Sequence, residues 1–328
     1  MANMTAAFPN IMLLSAGRRV SLARALNKVA HQHQADLITA DANPLLSAAC
    51  QDNRMFIRLP HVDDDGYEDV LRNECKKHRV GLVIPTIDTE LSKLSKVAES
   101  FRADGIEIIV SDENFIKACR DKRRTADYFD QFGVRSPEIF PLDRPRFPAI
   151  AKPYDGSLSK NVHIVATAED YTENVKRTPN LMLARYLDHS AHEEYTCDAY
   201  YDKSGTLKCV VPRLRIEVRG GEVAKGKTVR NNIVDLFEKH LPRLPGARGC
   251  LTFQFFRHNV SADLWLIELN PRFGGGFPLT LAAGADYPQW LYNEYVLGQE
   301  VSYQNTWEAN LTMLRFDGEI LVSAGTAQ

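Results

Sequence analysis

LTFQFFRHNVSADLWLIELNPRFGGGF, residues 251–277, consists of two apolar runs joined by a polar turn. Side chains of a β-strand alternate between its two faces, so Gln254 marks a face of the first run while Glu268 and Asn270 share one face of the second. Arg272 continues that face two residues on. Three oxygen-bearing side chains therefore converge beside a guanidinium. Magnesium prefers hard oxygen ligands, keeps several waters and commonly joins one or two carboxylates to substrate phosphates, which suits a Glu-x-Asn pair. Arg272 is suited to neutralise charge on a phosphoryl group in transfer. The same residues also read as the polar half of an amphipathic strand, with Gly274-Gly275-Gly276 as a flexible loop after it.

Upstream, the first third of the chain alternates short β-branched runs with amphipathic stretches, as a parallel sheet covered by helices does. Ile11 to Leu14 is the first expected strand, Ser15-Ala16-Gly17 a turn, and Leu22, Leu26 and Val29 one face of the helix that follows. Further strands are expected at Leu37 to Ala40, Phe56 to Leu59, Leu82 to Ile84 and Ile106 to Val110. SAGRR lacks the GxGxxG spacing, and no acidic residue stands securely in the ribose position, so a nicotinamide enzyme is not expected. From Asp112 two helical segments, split near Asp121, run toward a stop at Gly133. After Pro148 the texture becomes strand, glycine loop, strand, and then antiparallel. The fold class is α/β and α+β, a Rossmann-like lobe followed by a second unit.

A chain of 328 residues with 44% hydrophobic content can bury a full core in two or three linked lobes. Its 40 basic and 42 acidic residues nearly cancel, so nothing draws it to nucleic acid or to an acidic membrane. Small molecules are the expected partners. The opening apolar run is four residues, too short for a spanning helix or export signal. The six cysteines are scattered, with no CxxC pair, and read as reduced thiols of a cytoplasmic protein. His31 and His33, two apart on a helix, do not share a face and read as surface.

Taken whole, GxLTFQFF...LWLIELNPRFGGG resembles the metal-binding end of the ATP-grasp superfamily, especially the large subunit of carbamoyl phosphate synthetase. The resemblance covers nearly the whole chain. It implies a pre-ATP-grasp Rossmann-like domain over 1–118 and an ATP-grasp domain over 119–328, the latter divided into a small nucleotide lid at about 119–185 and a catalytic part at about 186–328. It implies ATP with Mg2+, or Mn2+, held by Gln254, Glu268 and Asn270.

Lys152 ends an apolar strand in FPAIAKPYDGSLSKNV, before Gly156, Ser157, Ser159 and Lys160. Alone this describes a hairpin as well as a phosphate cradle. The resemblance makes Lys152 a phosphate contact and Gly156 to Lys160 a flap over the nucleotide. It likewise turns Lys122, otherwise one charge on a solvated helix, into a nucleotide ligand. In LMLARYLDHSAHEEYTCDAYY it implies a hinge at Arg185, Tyr186 and Leu187 that reads adenine through main-chain groups, and Glu194 as the ribose ligand. An acidic residue common in relatives is replaced at Ala184-Arg185. In VPRLRIEVRGG, Arg213, Arg215, Glu217 and Arg219 fall on one face by strand alternation, which also suits a solvent edge. The resemblance makes Arg215, then Arg213, the arginines near the phosphates or acceptor carboxylate, alongside Arg272. VIPTIDTEL, with Pro85, Thr86, Asp88 and Glu90, lies at the carboxyl end of a buried strand and, with Ser15 to Arg18, forms a substrate-side surface. The implied activity is ADP-forming ligation of a carboxylate, through an acyl phosphate, to an amine or related nucleophile. The alternatives are a kinase-like phosphotransferase or carbamate-forming synthetase, and a nucleotide-binding regulatory module without turnover. A homodimer is the default assembly.

Overall fold

The computed structural model describes residues 8–156 and 161–323. In chain order the elements are β1 (Asn10–Leu13), α1 (Val20–Gln32), β2 (Leu37–Asp41), α2 (Ala48–Asp52), β3 (Phe56–Arg58), α3 (Tyr67–Lys77), β4 (Val80–Ile84), α4 (Asp88–Ala103) and β5 (Glu107–Ile108). These are followed by α5 (Glu113–Arg120), α6 (Lys122–Asp130), β6 (Ile139–Phe140), β7 (Ala149–Pro153), β8 (His163–Val165), α7 (Glu173–Lys176) and β9 (Leu181–Arg185). The remainder comprises β10 (His192–Tyr201), β11 (Leu207–Arg219), β12 (Glu222–Thr228), α8 (Asn232–His240), β13 (Gly249–His258), β14 (Leu264–Asn270), α9 (Phe277–Ala282), α10 (Tyr287–Tyr295) and β15 (Thr312–Leu314).

The first five strands form a parallel sheet in the order β3-β2-β1-β4-β5. β1 and β4 are buried along their whole length, as expected of strands covered on both faces. β2 and β3 extend the sheet on one side of β1 and β4 and β5 on the other, so the carboxyl end of β1 is a topological switch point. The expected strand from Ile106 to Val110 narrows to Glu107–Ile108 at this edge.

The two helices after that sheet are set by local chemistry. The Asp112 carboxylate accepts the Phe115 amide at 2.8 Å, and the Asp121 carboxylate accepts the Arg123 amide at 2.9 Å. Each caps one helix, which is why the segment splits at Asp121. Gly133, with φ of 72°, takes the left-handed position past α6.

A four-stranded antiparallel sheet, β6-β9-β7-β8, has its own small core around Phe140, Ala151, Val165 and Leu183. The largest sheet has the order β14-β13-β10-β11-β12-β15. One face of it, carrying Tyr195, Cys197, Phe253 and Phe255, packs against Phe237 of α8 in a core that also takes in Leu22 and Leu26 of α1. The His33 ring stacks on Tyr292 of α10 at 4.5 Å, so this histidine is a packing residue. All six cysteines are buried free thiols. Among the described residues no helix is long and apolar enough to cross a membrane.

Candidate functional site

The other face of the large sheet carries the polar residues. Arg213 pairs with Thr196, Thr196 with Gln254 and Gln254 with Glu268, so one row across β11, β10, β13 and β14 is occupied by chemistry-bearing side chains. The adjacent row sets Asp198 beside Thr252 and Thr252 beside Asn270. Apart from the fully buried Asp198, these residues line an open cleft together with Glu194, Arg215 and Arg272.

At its β14 end, Glu268 Oε1 lies 3.6 Å from the Lys122 ammonium, which donates to the Gly156 carbonyl at 2.7 Å. Asn270 is nearly buried, and its amide oxygen accepts from Arg272 Nη2 at 3.3 Å. Arg272 lies just past the strand and grips Asp88, at the start of α4, through two bonds of 3.0 and 2.7 Å. The parallel sheet is thereby tied to the cleft. Gln254, Glu268 and Asn270 offer one carboxylate and two amide oxygens, a hard donor set that suits magnesium only when phosphate oxygens and water complete the shell. Among the described residues no group of three or more His, Cys, Asp or Glu side chains is arranged to hold a metal.

Next to the cleft is a hollow walled by Ile139, Ile150, Met182, Leu187, Phe256 and Leu266. Lys122 and Lys152 sit at its polar end. Burial, and then the neighbouring Lys122 charge, lower the Lys152 pKa to about 8. Among the described residues this ammonium has no hydrogen-bond partner. Arg185, Tyr186 and Leu187 lie on the same wall. The Arg185 amide donates to Glu138 O at 2.8 Å and the Tyr186 amide to Pro148 O at 3.3 Å. Of the three hinge amides, Leu187 alone has no acceptor among the described residues. The Arg185 guanidinium pairs with Glu138 at 3.3 Å. Gly156 lines a further small pocket together with Lys122, Glu268 and Asn270. Ser157, Ser159 and Lys160 lie outside the described residues.

The arginine-rich strand corrects one expectation. Arg213 and Arg215 do face the cleft, but register shifts between Arg215, Glu217 and Val218 break the alternation. A bulge places an extra residue on one strand and turns every later side chain over. Val218 therefore lines the cleft, Glu217 pairs with Lys225, and Arg219 pairs with Asp317. Arg215 is ion-paired with Glu194 and donates to Gly221 O at 3.3 Å. Arg213 is only 1% exposed and donates to Asp198 at 2.9 Å. Asp198 also accepts from the Thr280 hydroxyl at 2.6 Å and the Thr252 hydroxyl at 3.1 Å. The glycine run is packed rather than free. A Cβ on Gly276 would lie 1.9 Å from Arg213 Nη1, and one on Gly274 would lie 2.9 Å from Thr252.

One contributor, Arg19, has no place in the sequence reading. Arg19 lines the cleft, donates to Thr86 O at 3.3 Å, and has its pKa lowered to about 10 by burial and by Arg272. Its neighbour Arg18, the last residue of the expected substrate-side segment, reaches Glu222 at 3.6 Å. The Arg18-Arg19 doublet at a strand's carboxyl end was the available signal. Asp88 was placed on the substrate side, and its grip on Arg272 has no local signature.

Two family models match separate parts of the chain: "PylC-like, N-terminal domain" over residues 11–109, and "ATP-grasp in the biosynthetic pathway with Ter operon" over residues 177–318. A carbamoyl-phosphate synthase of Methanobrevibacter smithii is 22% identical over 223 residues, 62% of this chain and 60% of that protein, so the chain spans less than two thirds of its relative. Among solved structures, the biotin carboxylase domain dimer of Hydrogenobacter thermophilus 2-oxoglutarate carboxylase, in complex with MgADP, ADP and bicarbonate, superposes with a TM-score of 0.70 at 14% identity, covering 93% of this chain and 73% of that one. The L-amino acid ligase of Bacillus licheniformis gives 0.68 at 15% identity, covering 89% and 75%. At such identities the likeness is one of fold.

Proposed function

We propose, for a chain that belongs to the ATP-grasp superfamily, that it is an ADP-forming ligase, activating a carboxylate as an acyl phosphate and passing it to an amine or related nucleophile. The observation that carries this reading is the meeting of Lys122, Lys152 and Glu268 where the apolar hollow joins the cleft. Two ammonium groups against Glu268, with Glu194 already paired to Arg215, leave positive charge that suits a polyphosphate, and Lys152 makes no hydrogen bond among the described residues. The apolar walls suit a purine ring, with the Leu187 amide as the donor to its edge. Glu194, steered by Arg215, suits the ribose hydroxyls.

Magnesium or manganese, held by Glu268, Asn270 and Gln254, would draw charge from the phosphate oxygens. The chain's own groups do the rest. Lys122 and Lys152 orient the phosphates, with Gly156 beside them. Arg272 and Arg215 offset charge on the transferred group, and Arg213 supports them from the sheet. In-line transfer needs little more than such positioning and charge stabilisation. In this reading residues 1–118 carry substrate-side groups, 119–185 the nucleotide lid and 186–328 the catalytic floor. The buried reduced thiols favour cytoplasm, and a homodimer is the proposed assembly.

The test is incubation with Mg-ATP across a panel of small carboxylates and amines, following ADP, phosphate and condensed products by mass. ADP formation matched by a condensed product supports the ligase. A phosphorylated acceptor replaces it with a phosphotransferase, and ATP binding without turnover across the panel replaces it with a regulatory module.

A further inference from the structure

A second, small hollow opens at the carboxyl ends of β1, β2 and β4, where the sheet order switches. Its polar wall is Glu90, Asp41, Ser15 and Tyr67, and among the described residues no lysine or arginine lines it. Glu90 is 2% exposed and accepts from the Ser15 hydroxyl and from the Thr86 amide at 3.4 Å. Asp41 is held rigid, accepting the Gly17 and Asn43 amides at 3.0 Å each. Tyr67 is also 2% exposed, and among the described residues its hydroxyl has no hydrogen-bond partner. A buried phenol left so is a desolvated polar group without compensation, a penalty a ligand on this wall would relieve.

We propose that this hollow receives the primary ammonium group of the amine-bearing substrate, held between Glu90, Asp41 and the Tyr67 hydroxyl. An ammonium has three donors and no acceptor, and these three side chains each present an acceptor oxygen. Leu59, Val62 and Ile87 provide apolar wall for the attached carbon chain. An anionic ligand would face two carboxylates. The assignment to a substrate rests on the ligase reading above; the chemistry of the hollow does not.

The charged neighbours are few. His61 at the rim is paired with Asp63, and the Lys93 ammonium, 5.8 Å from the Tyr67 ring, is turned to Val62 O at 2.7 Å. Burial raises the Glu90 pKa to about 7, although its hydrogen bonds act the other way and Asp41 adds only a little. A bound ammonium favours the ionised form, so binding weakens as pH falls below this value.

The test is calorimetry on the full chain without ATP, using n-butylamine against its isosteres butan-1-ol and butanoate. At pH 8 the amine should bind at least about tenfold more tightly than either isostere, the scale of one charged hydrogen bond. Glu90→Gln should weaken it about tenfold and Tyr67→Phe about fivefold, and wild-type affinity should fall between pH 8 and pH 6. Equal binding of the alcohol, or amine affinity unchanged in both variants, overturns the site. Failure of the ligase reading looks different: n-butylamine binds as described, yet no amine in the panel yields ADP or a condensed product. Turnover of an amine that is indifferent to both substitutions overturns this site and leaves the ligase standing.

Discussion

Replacing Lys152 with methionine removes a charge without removing volume, and the structure assigns the change opposite effects on stability and on nucleotide affinity. The displacement of its pKa from 10.5 to about 8 corresponds to roughly 3 kcal/mol against the charged form, at about 1.4 kcal/mol per pH unit. Relaxation and water reduce this, so Lys152→Met should stabilise the nucleotide-free protein by about 1–3 kcal/mol at pH 7. The sign follows from proton counting. Between pH 8 and 10.5 the unfolded chain holds a proton on this lysine that the folded chain has shed, so wild-type stability gains on the variant as pH rises through that window. Denaturant titration at pH 7 and pH 9.5 reads both terms. ATP should restore the proton, so wild-type affinity should fall above about pH 8 while the variant, already weaker by about tenfold or more, shows no such fall. Calorimetric ATP titrations across pH 7 to 9.5 measure this. Unchanged affinity in Lys152→Met, or a flat wild-type profile, would refute the phosphate role.

Glu268→Gln keeps shape and loses the one carboxylate of the proposed metal set; turnover should fall at least about a hundredfold with unchanged denaturation midpoint, read by coupled ADP assay. Gly276→Ala drives a methyl into Arg213, and denaturant titration should show a loss of about 2–4 kcal/mol. Asp88→Asn weakens the two-bond grip on Arg272; kcat should fall about tenfold with a smaller change in the KM for ATP, and Asp88→Glu should restore part of it.

Local rules made much of the architecture readable. The caps at Asp112 and Asp121 and the stop at Gly133 depend on neighbours within four residues, so sequence alone divides α5 from α6. Glu268 and Asn270 could be placed on one face because strand alternation is local too. What stayed hidden depended on partners far along the chain. The β11 irregularity arises in its pairing with β12, and nothing in RLRIEVR marks where an extra residue enters. The engagement of the Arg185 and Tyr186 amides required knowing that Glu138 and Pro148 lie alongside. That Arg213, although it faces the cleft, is spent on Asp198 stayed hidden because the two lie on different strands and a buried acid has no periodic signature.

Asp198 also constrains which descendants of this chain remain viable. Arg213, Thr280, Thr252 and the Tyr287 hydroxyl, which donates to the Asp198 carbonyl at 2.8 Å, all converge on this residue, and Gly276 leaves room for the guanidinium. Losing the acid strands a buried cation, losing the arginine strands a buried anion, and adding a methyl at 276 displaces both. Drift at these positions must therefore be concerted, and a saturation library selected for folding should recover Asp198, Arg213 and Gly276 as an inherited set while the exposed Glu217 and Arg219 vary independently.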